Sequence, residues 1–194
     1  IKNGVIKNSG GDGIDAGASP STRIETVYMQ DAIGDGIKLG GGEIVGTTCI
    51  NNGGYGIRAS QANGSAGVFL SKGTGRCALT ENGLGGLYVD SECNVAIDGA
   101  EISDNGGNGI TISSSKAVVK AIAGTSASSR ISSNAGDGVH VSLTHDGGVF
   151  SLTLEDTDCD GNGDDGVDVA RSYTSGHFAL EMNGVQSRFN TSSG

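Results

Sequence analysis

"NGGNGITI", Asn105 to Ile112, is the cleanest copy of a unit that recurs along the whole chain. Its relatives are "SGGDGIDA", "AIGDGIKL", "NGGYGIRA", "NGLGGLYV", "NAGDGVHV" and "NGDDGVDV", which align without gaps. Each carries a glycine directly before its first apolar residue. These anchor glycines are Gly13, Gly36, Gly56, Gly86, Gly109, Gly138 and Gly166, spaced 20 to 30 residues apart. Self-similarity at that spacing marks a solenoid, one repeat per coil.

The columns of the alignment carry geometry. One residue after the anchor stand Ile14, Ile37, Ile57, Leu87, Ile110, Val139 and Val167; three after it stand Ala16, Leu39, Ala59, Val89, Ile112, Val141 and Val169. Between them lie Asp15, Lys38, Arg58, Tyr88, Thr111, His140 and Asp168. Apolar, polar, apolar is the alternation of a strand with one face buried. Seven before the anchor a second inward column reads Ile6, Met29, Cys49, Leu79, Ile102, Ile131 and Cys159. Like residues at equivalent places predict parallel strands, one coil above the next. Four before the anchor stand Asn52, Asn82, Asn105, Asn134 and Asn162, with Ser9 and Ala32 as exceptions. Asparagine tolerates the left-handed conformation and hydrogen-bonds its neighbours, so a ladder inside a corner is expected, with the glycines around it supplying positive φ.

Composition agrees. Glycine contributes 36 of 194 residues, more than twice ordinary usage of about 7%. Glycine costs a helix about 1 kcal/mol per position, and no window keeps a 3.6-residue spacing. The expected fold is all-β: a single domain over 1–194, a parallel β-helix of about seven coils, each about 4.8 Å high. The shortest coil, Gly36 to Gly56, leaves room for little beyond two strands. Longer coils insert "AGVFLS" (66–71), "AVVKAIA" (117–123), "VFSLTL" (149–154) and "HFALEM" (177–182) as a further strand.

A net charge of −10 and a pI near 4.5 argue against nucleic acid or an anionic membrane as partners. No stretch approaches 18 apolar residues, so no membrane span is expected. Asn190 lies four before Gly194, which reads as an eighth anchor. The chain thus begins mid-coil and stops before a strand, and the expectation is an uncapped stack: an excerpt of a longer protein or a unit that self-associates end to end.

The repeated N-G-G-x-G-I-x-I unit resembles the right-handed parallel β-helix repeat family, the pectate-lyase-like, carbohydrate-associated coil. The resemblance runs from Ile6 to Gly194. It implies a right-handed, single-stranded solenoid. It does not imply one activity, because such coils serve lyases, hydrolases, epimerases, phage tailspikes and adhesins. The Asp-Pro-His motif of the family's C5-epimerases is absent, since Pro20 stands between two serines, and the Trp-Ile-Asp-His stretch of pectate lyases is absent with tryptophan. Two expectations follow. One is a non-catalytic structural or adhesive segment, extracellular or on a cell or virion surface, as a stalk or filament component with a glycan partner. The other is a polysaccharide lyase, glycoside hydrolase or C5-epimerase of tailspike type.

The candidate residues follow from the columns. Asp12, Asp35, Asp137 and Asp165 stand one before the anchor, Asp15 and Asp168 two after it. Asp137, His140, Asp165 and Asp168 therefore gather on two adjacent coils. Like charges stacked about 4.8 Å apart repel, and a Ca²⁺ ion, a shared proton or water must offset this. Paired carboxylates can do acid–base work on a glycan, with His140 as base and Asp168 as its orienter; the plainer reading is that aspartate suits an exposed corner. No cofactor is required. A glycan groove is the second candidate, along Lys38, Arg58, Tyr88, Thr111 and His140. Tandem calcium half-sites of the nine-residue β-roll type are excluded, because the "GNGDDGVDVA" unit at 161–170 recurs only after 28 residues. Cys49, Cys77, Cys93 and Cys159 are expected as free thiols. Two sequons stand at 63–65 and 190–192.

Overall fold

The computed structural model describes residues 1–19, 21–60, 68–90, 94–114, 118–123, 128–144, 146, 148–172 and 174–191. Cys93, Pro20, Gly194 and the sequon at 63–65 lie outside them. All regular structure in the described residues is β, and every ladder between strands is parallel. The chain is a parallel β-solenoid of about six turns, close to the seven coils read from the anchors.

The coils form a prism with three faces. The first is the seven-stranded sheet of Ile14–Ala16, Ile37–Leu39, Tyr55–Ala59, Gly85–Val89, Ile110–Ser114, Val139–Leu143 and Val167–Arg171. Its register pairs Ile14 with Ile37, Ile37 with Ile57, Ile57 with Leu87 and onward to Val167, as the alignment requires. The second face holds the inserted stretches, among them Val68–Ser71, Gly148–Glu155 and Gly176–Asn183. The third holds Thr48–Ile50, Cys77–Thr80, Ala100–Ser103, Ser129–Ser132 and Thr157–Asp158. Faces two and three join into one 13-stranded sheet because Thr22–Gln30 runs across both.

Inward side chains of all three faces meet in one core. Met29, Cys49, Leu79, Ile102, Ile131 and Cys159 are fully buried, as are Ile37, Ile57, Leu87 and Val141. The columns need no bulky layer between sheets, so a hydrophobic fraction of 35% suffices. Cys49, Cys77 and Cys159 are free; burial pushes the Cys77 and Cys159 thiols up to about 12 and Cys49 well above its ordinary value.

Two expectations are corrected. The coil between Gly36 and Gly56 holds three strands, Ile37–Leu39, Gly42–Val45 and Thr48–Ile50, and not two. A face needs only three or four residues, and a corner only two, as at Gly46 (φ 53°) and Thr47. The second correction concerns the asparagine corner. None of the ladder asparagines has positive φ; the left-handed residue is the one before each, five before the anchor. That column reads Asn8, Asp31, Asn51, Glu81, Asp104, Ser133, Gly161 and Phe189, with φ from 54° to 67°. One αL residue between two extended stretches turns the chain sharply, which is why asparagine and aspartate recur there.

The anchor glycines are also not positive-φ residues. They are glycine because the next coil comes too close. A Cβ on Gly36, Gly56, Gly109, Gly138 or Gly166 would lie 2.8 Å from the Nδ2 of the ladder asparagine one coil on. The ladder itself forms as expected. Each Nδ2 donates to the next Oδ1, at 2.8 Å for Asn52 to Asn82, 3.0 Å for Asn82 to Asn105, 2.9 Å for Asn105 to Asn134 and 3.0 Å for Asn134 to Asn162. The same Oδ1 atoms accept the backbone N–H of the preceding asparagine, and the Nδ2 groups also donate to carbonyls of Cys49, Leu79, Ile102 and Ile131. Every buried amide atom is thereby satisfied.

Candidate functional site

The aspartates one before the anchor form a second, outer ladder. Asp12 Oδ1 accepts the Asp35 N–H and Asp35 Oδ1 the Tyr55 N–H, each at 2.8 Å. Farther along, Asn108 Oδ1 accepts the Asp137 N–H at 2.8 Å and Asp137 Oδ1 the Asp165 N–H at 2.9 Å. Tyr55 and Gly85 occupy the same column and interrupt it. In three of the four rungs the residue before the donating N–H is glycine, and a Cβ on Gly34, Gly54 or Gly136 would come within 2.2 to 2.3 Å of the Oδ1 of Asp12, Asp35 or Asn108; in the fourth, Asp164 holds that place before Asp165. The G-D-G pattern is therefore a backbone–carboxylate clasp. A carboxylate that accepts a backbone N–H is partly compensated. Burial nonetheless dominates and raises the pKa of Asp35 and Asp137 from the usual carboxylate value, with the backbone bond opposing.

Of the four residues expected to gather, three meet at one nitrogen. His140 Nδ1 lies 3.0 Å from Asp137 Oδ2 and 2.8 Å from Asp168 Oδ2. Thr111, His140 and Asp168 are register neighbours on the first face, which sets the Asp168 approach; Asp137 reaches the ring from the corner of the same coil. A ring nitrogen carries one hydrogen, so two carboxylates compete for it. Asp165 stands apart from His140. Its carboxylate groups instead with those of Asp137 and Asp164, one oxygen of each within 4.8 Å of the others. The expected cluster is thus two triads that share Asp137. Asp164 was not singled out in the sequence because its column, two before the anchor, is otherwise glycine or leucine.

The two triads differ in what they could hold. Asp137, His140 and Asp168 offer one nitrogen and two oxygens, a set that suits borderline metals better than calcium. Asp137, Asp164 and Asp165 offer oxygen alone. Calcium takes six to eight oxygens, and the described residues supply three carboxylates, one of them already engaged by the Asp165 N–H and His140.

The other predicted column is in register along the first face: Lys38, Arg58, Tyr88, Thr111, His140. Tyr55, just before an anchor, joins it from the corner. Its ring lies 4.8 Å from that of Tyr88, tilted by 30°. The Arg58 guanidinium sits 5.2 Å from the Tyr88 ring centre and 3.7 Å from Asp90. Lys38 stands 3.7 Å from Asp15. Arg58 Nε is buried without a hydrogen-bond partner among the described residues. Two tilted, adjacent rings and an arginine make a small amphipathic platform. Tyr55 was missed because the strand alternation was counted only from the anchor onward, and this strand starts before it.

No family model, curated protein or solved structure matches the chain. Its class rests on the fold: a parallel β-solenoid.

Proposed function

We propose that this chain is a structural segment of an extracellular or surface-exposed β-helix of the carbohydrate-associated, pectate-lyase-like kind. It acts as a stalk, adhesin or filament component, meeting glycan along the first face and further coils or copies at its ends. The observation that carries this reading is the pair of ladders at one corner. They tie coil to coil by side-chain and backbone bonds, and they engage Asp12, Asp35 and Asp137 as structural acceptors. Carboxylates fixed in that way serve rigidity. Tyr55, Arg58 and Tyr88, with the unpartnered Arg58 Nε, are the residues to meet a sugar ring.

A second reading has one specific support. With Nδ1 held by Asp168, the other ring nitrogen of His140 is oriented as a base, the arrangement expected in a polysaccharide lyase or glycoside hydrolase. One experiment separates the two. The purified protein is incubated with neutral and acidic polysaccharides while reducing ends and unsaturated products are followed. The structural reading expects retention on glycan that weakens in Tyr88→Ala and Arg58→Ala, and no product. Product that disappears in His140→Ala or Asp168→Asn would overturn it. Electron microscopy of the same sample tests end-to-end association: filaments support it, single short rods refute it.

A further inference from the structure

The sequence holds 22 acidic and 12 basic residues, so a cation without a partner is unexpected. Almost every lysine and arginine whose side chain is described faces a carboxylate or an aromatic ring. Lys72 and Arg130 are the exceptions: neither makes an ion pair among the described residues. Both line the same pocket, of about 280 Å³, together with Arg76, Glu101 and Ser128.

The pocket has a structural origin. It sits where the second face turns into the third. In the coil below, two residues separate Val45 from Thr48; between their register partners Ser71 and Ala78 there are six. The extra residues form the "KGTGR" loop, 72–76, closed by a Gly75 N–H to Lys72 carbonyl bond of 2.9 Å. The coil above returns to a two-residue corner, Gly99 and Ala100, since Asp98 follows Ser71 and Glu101 follows Ala78 in register. The longer loop therefore overhangs the shorter corner, and the pocket is the space between them. Glu101 does not neutralise the whole site. It is engaged by Arg76, whose Nε and Nη2 lie 3.0 and 2.5 Å from one carboxylate oxygen. Arg130 stands in register between Glu101 and Asp158 and pairs with neither.

We propose that this pocket binds phosphate, free or as a monoester. Beyond the Arg76–Glu101 pair the lining adds two positive charges and no negative one, which suits the nearly dianionic charge of phosphate at neutral pH. A guanidinium fork fits two oxygens of one phosphate, and an ammonium adds a point charge. Gly75 and Gly99 keep the walls free of side chains where the ligand would approach. The volume admits phosphate with a small attached group. The site lies away from the glycan column of the first face and does not depend on that reading.

Calorimetric or ³¹P NMR titration with inorganic phosphate at low salt tests the proposal. Saturable binding at one site is expected. Arg130→Gln and Lys72→Gln should each weaken it about tenfold, the scale of one lost charge-assisted contact, while the denaturation midpoint stays put because both side chains are exposed. Arg171→Gln, whose guanidinium packs on Phe178, should leave binding unchanged. Acetate at equal ionic strength should not compete. Tighter binding of a hexose phosphate than of phosphate assigns the ester as the ligand, and the reverse assigns the free ion. Absence of saturable binding, or binding indifferent to both Arg130→Gln and Lys72→Gln, overturns the proposal.

Discussion

The two ladders stand within three residues of each other along the same corner, and they solve the same problem differently. In both, an Oδ1 atom receives a backbone N–H from the neighbouring coil. The inner ladder uses asparagine, whose amide also donates, so each rung is closed and uncharged. It can be fully buried, and Asn82, Asn134 and Asn162 are at most 1% exposed. The outer ladder mostly uses aspartate, which accepts but cannot donate. A charge remains on each rung, and it must stay near solvent or find a counter-ion. Where burial tightens around Asp137, the charge is met by His140. Among the described residues, the cluster of Asp137, His140 and Asp168 forms at a charged rung that is buried.

The largest effect should come from exchanging one chemistry for the other. Asn105→Asp keeps the acceptor for Asn82 but removes the donor to Asn134 Oδ1 and the Leu79 carbonyl, and places a charge in the core. A loss of about 3–5 kcal/mol is expected in urea denaturation, the range for an unpaired buried charge. A cost below that of Asn105→Ala would break the contrast. Next comes the glycine that gives the inner ladder room. Gly109→Ala puts a methyl 2.5 Å from Ile131 Cγ2 and 2.7 Å from the Gly138 carbonyl. It should cost about 1–3 kcal/mol, although its backbone conformation suits alanine.

The converse exchange should help. Asp35→Asn keeps the Tyr55 bond and removes a desolvated charge. The folded pKa of Asp35 is raised, so the fold penalises the ionised form above that value and bears no penalty below the unfolded pKa. The variant should melt higher than the parent at neutral pH, with the gain fading as pH falls into the ordinary carboxylate range. A pH-independent gain would show that charge is not the cause. Smallest is the αL residue that precedes the inner ladder. Glu81→Asn, which copies Asn51 of the preceding coil, relieves a φ of 58°. A gain of about 0.5 kcal/mol is expected by thermal denaturation, and none if neighbouring coils have already relaxed the strain.

Much of this was legible in the residues. Column periodicity named the inward residues of two faces and their register, because a parallel stack repeats the same environment at every coil and so selects the same residue class. The asparagine ladder was legible for the same reason. The aspartate ladder was half legible: the column was visible, and its repulsion left a cation, a shared proton or water open, since the backbone N–H that meets each carboxylate leaves no trace in side-chain identity. Tyr55 and Asp164 fall outside the alternation, Lys72 and Arg76 belong to an insertion that the repeat alignment skips, and Arg130 lies one residue before the inward column at Ile131.

The sequence by itself thus determined that coils stack, which side chains face inward and where the chain turns, because these are nearest-neighbour properties repeated along one axis. Only the tertiary structure decided what crosses between coils at particular heights. It showed that the anchor glycines make room for an amide and do not bend the chain, that Asp137 and Asp168 converge on one nitrogen of His140, and that a long corner over a short one leaves a cationic pocket. Those outcomes depend on contacts between residues 20 to 30 positions apart in sequence, whose distances are set by the differing lengths of adjacent coils.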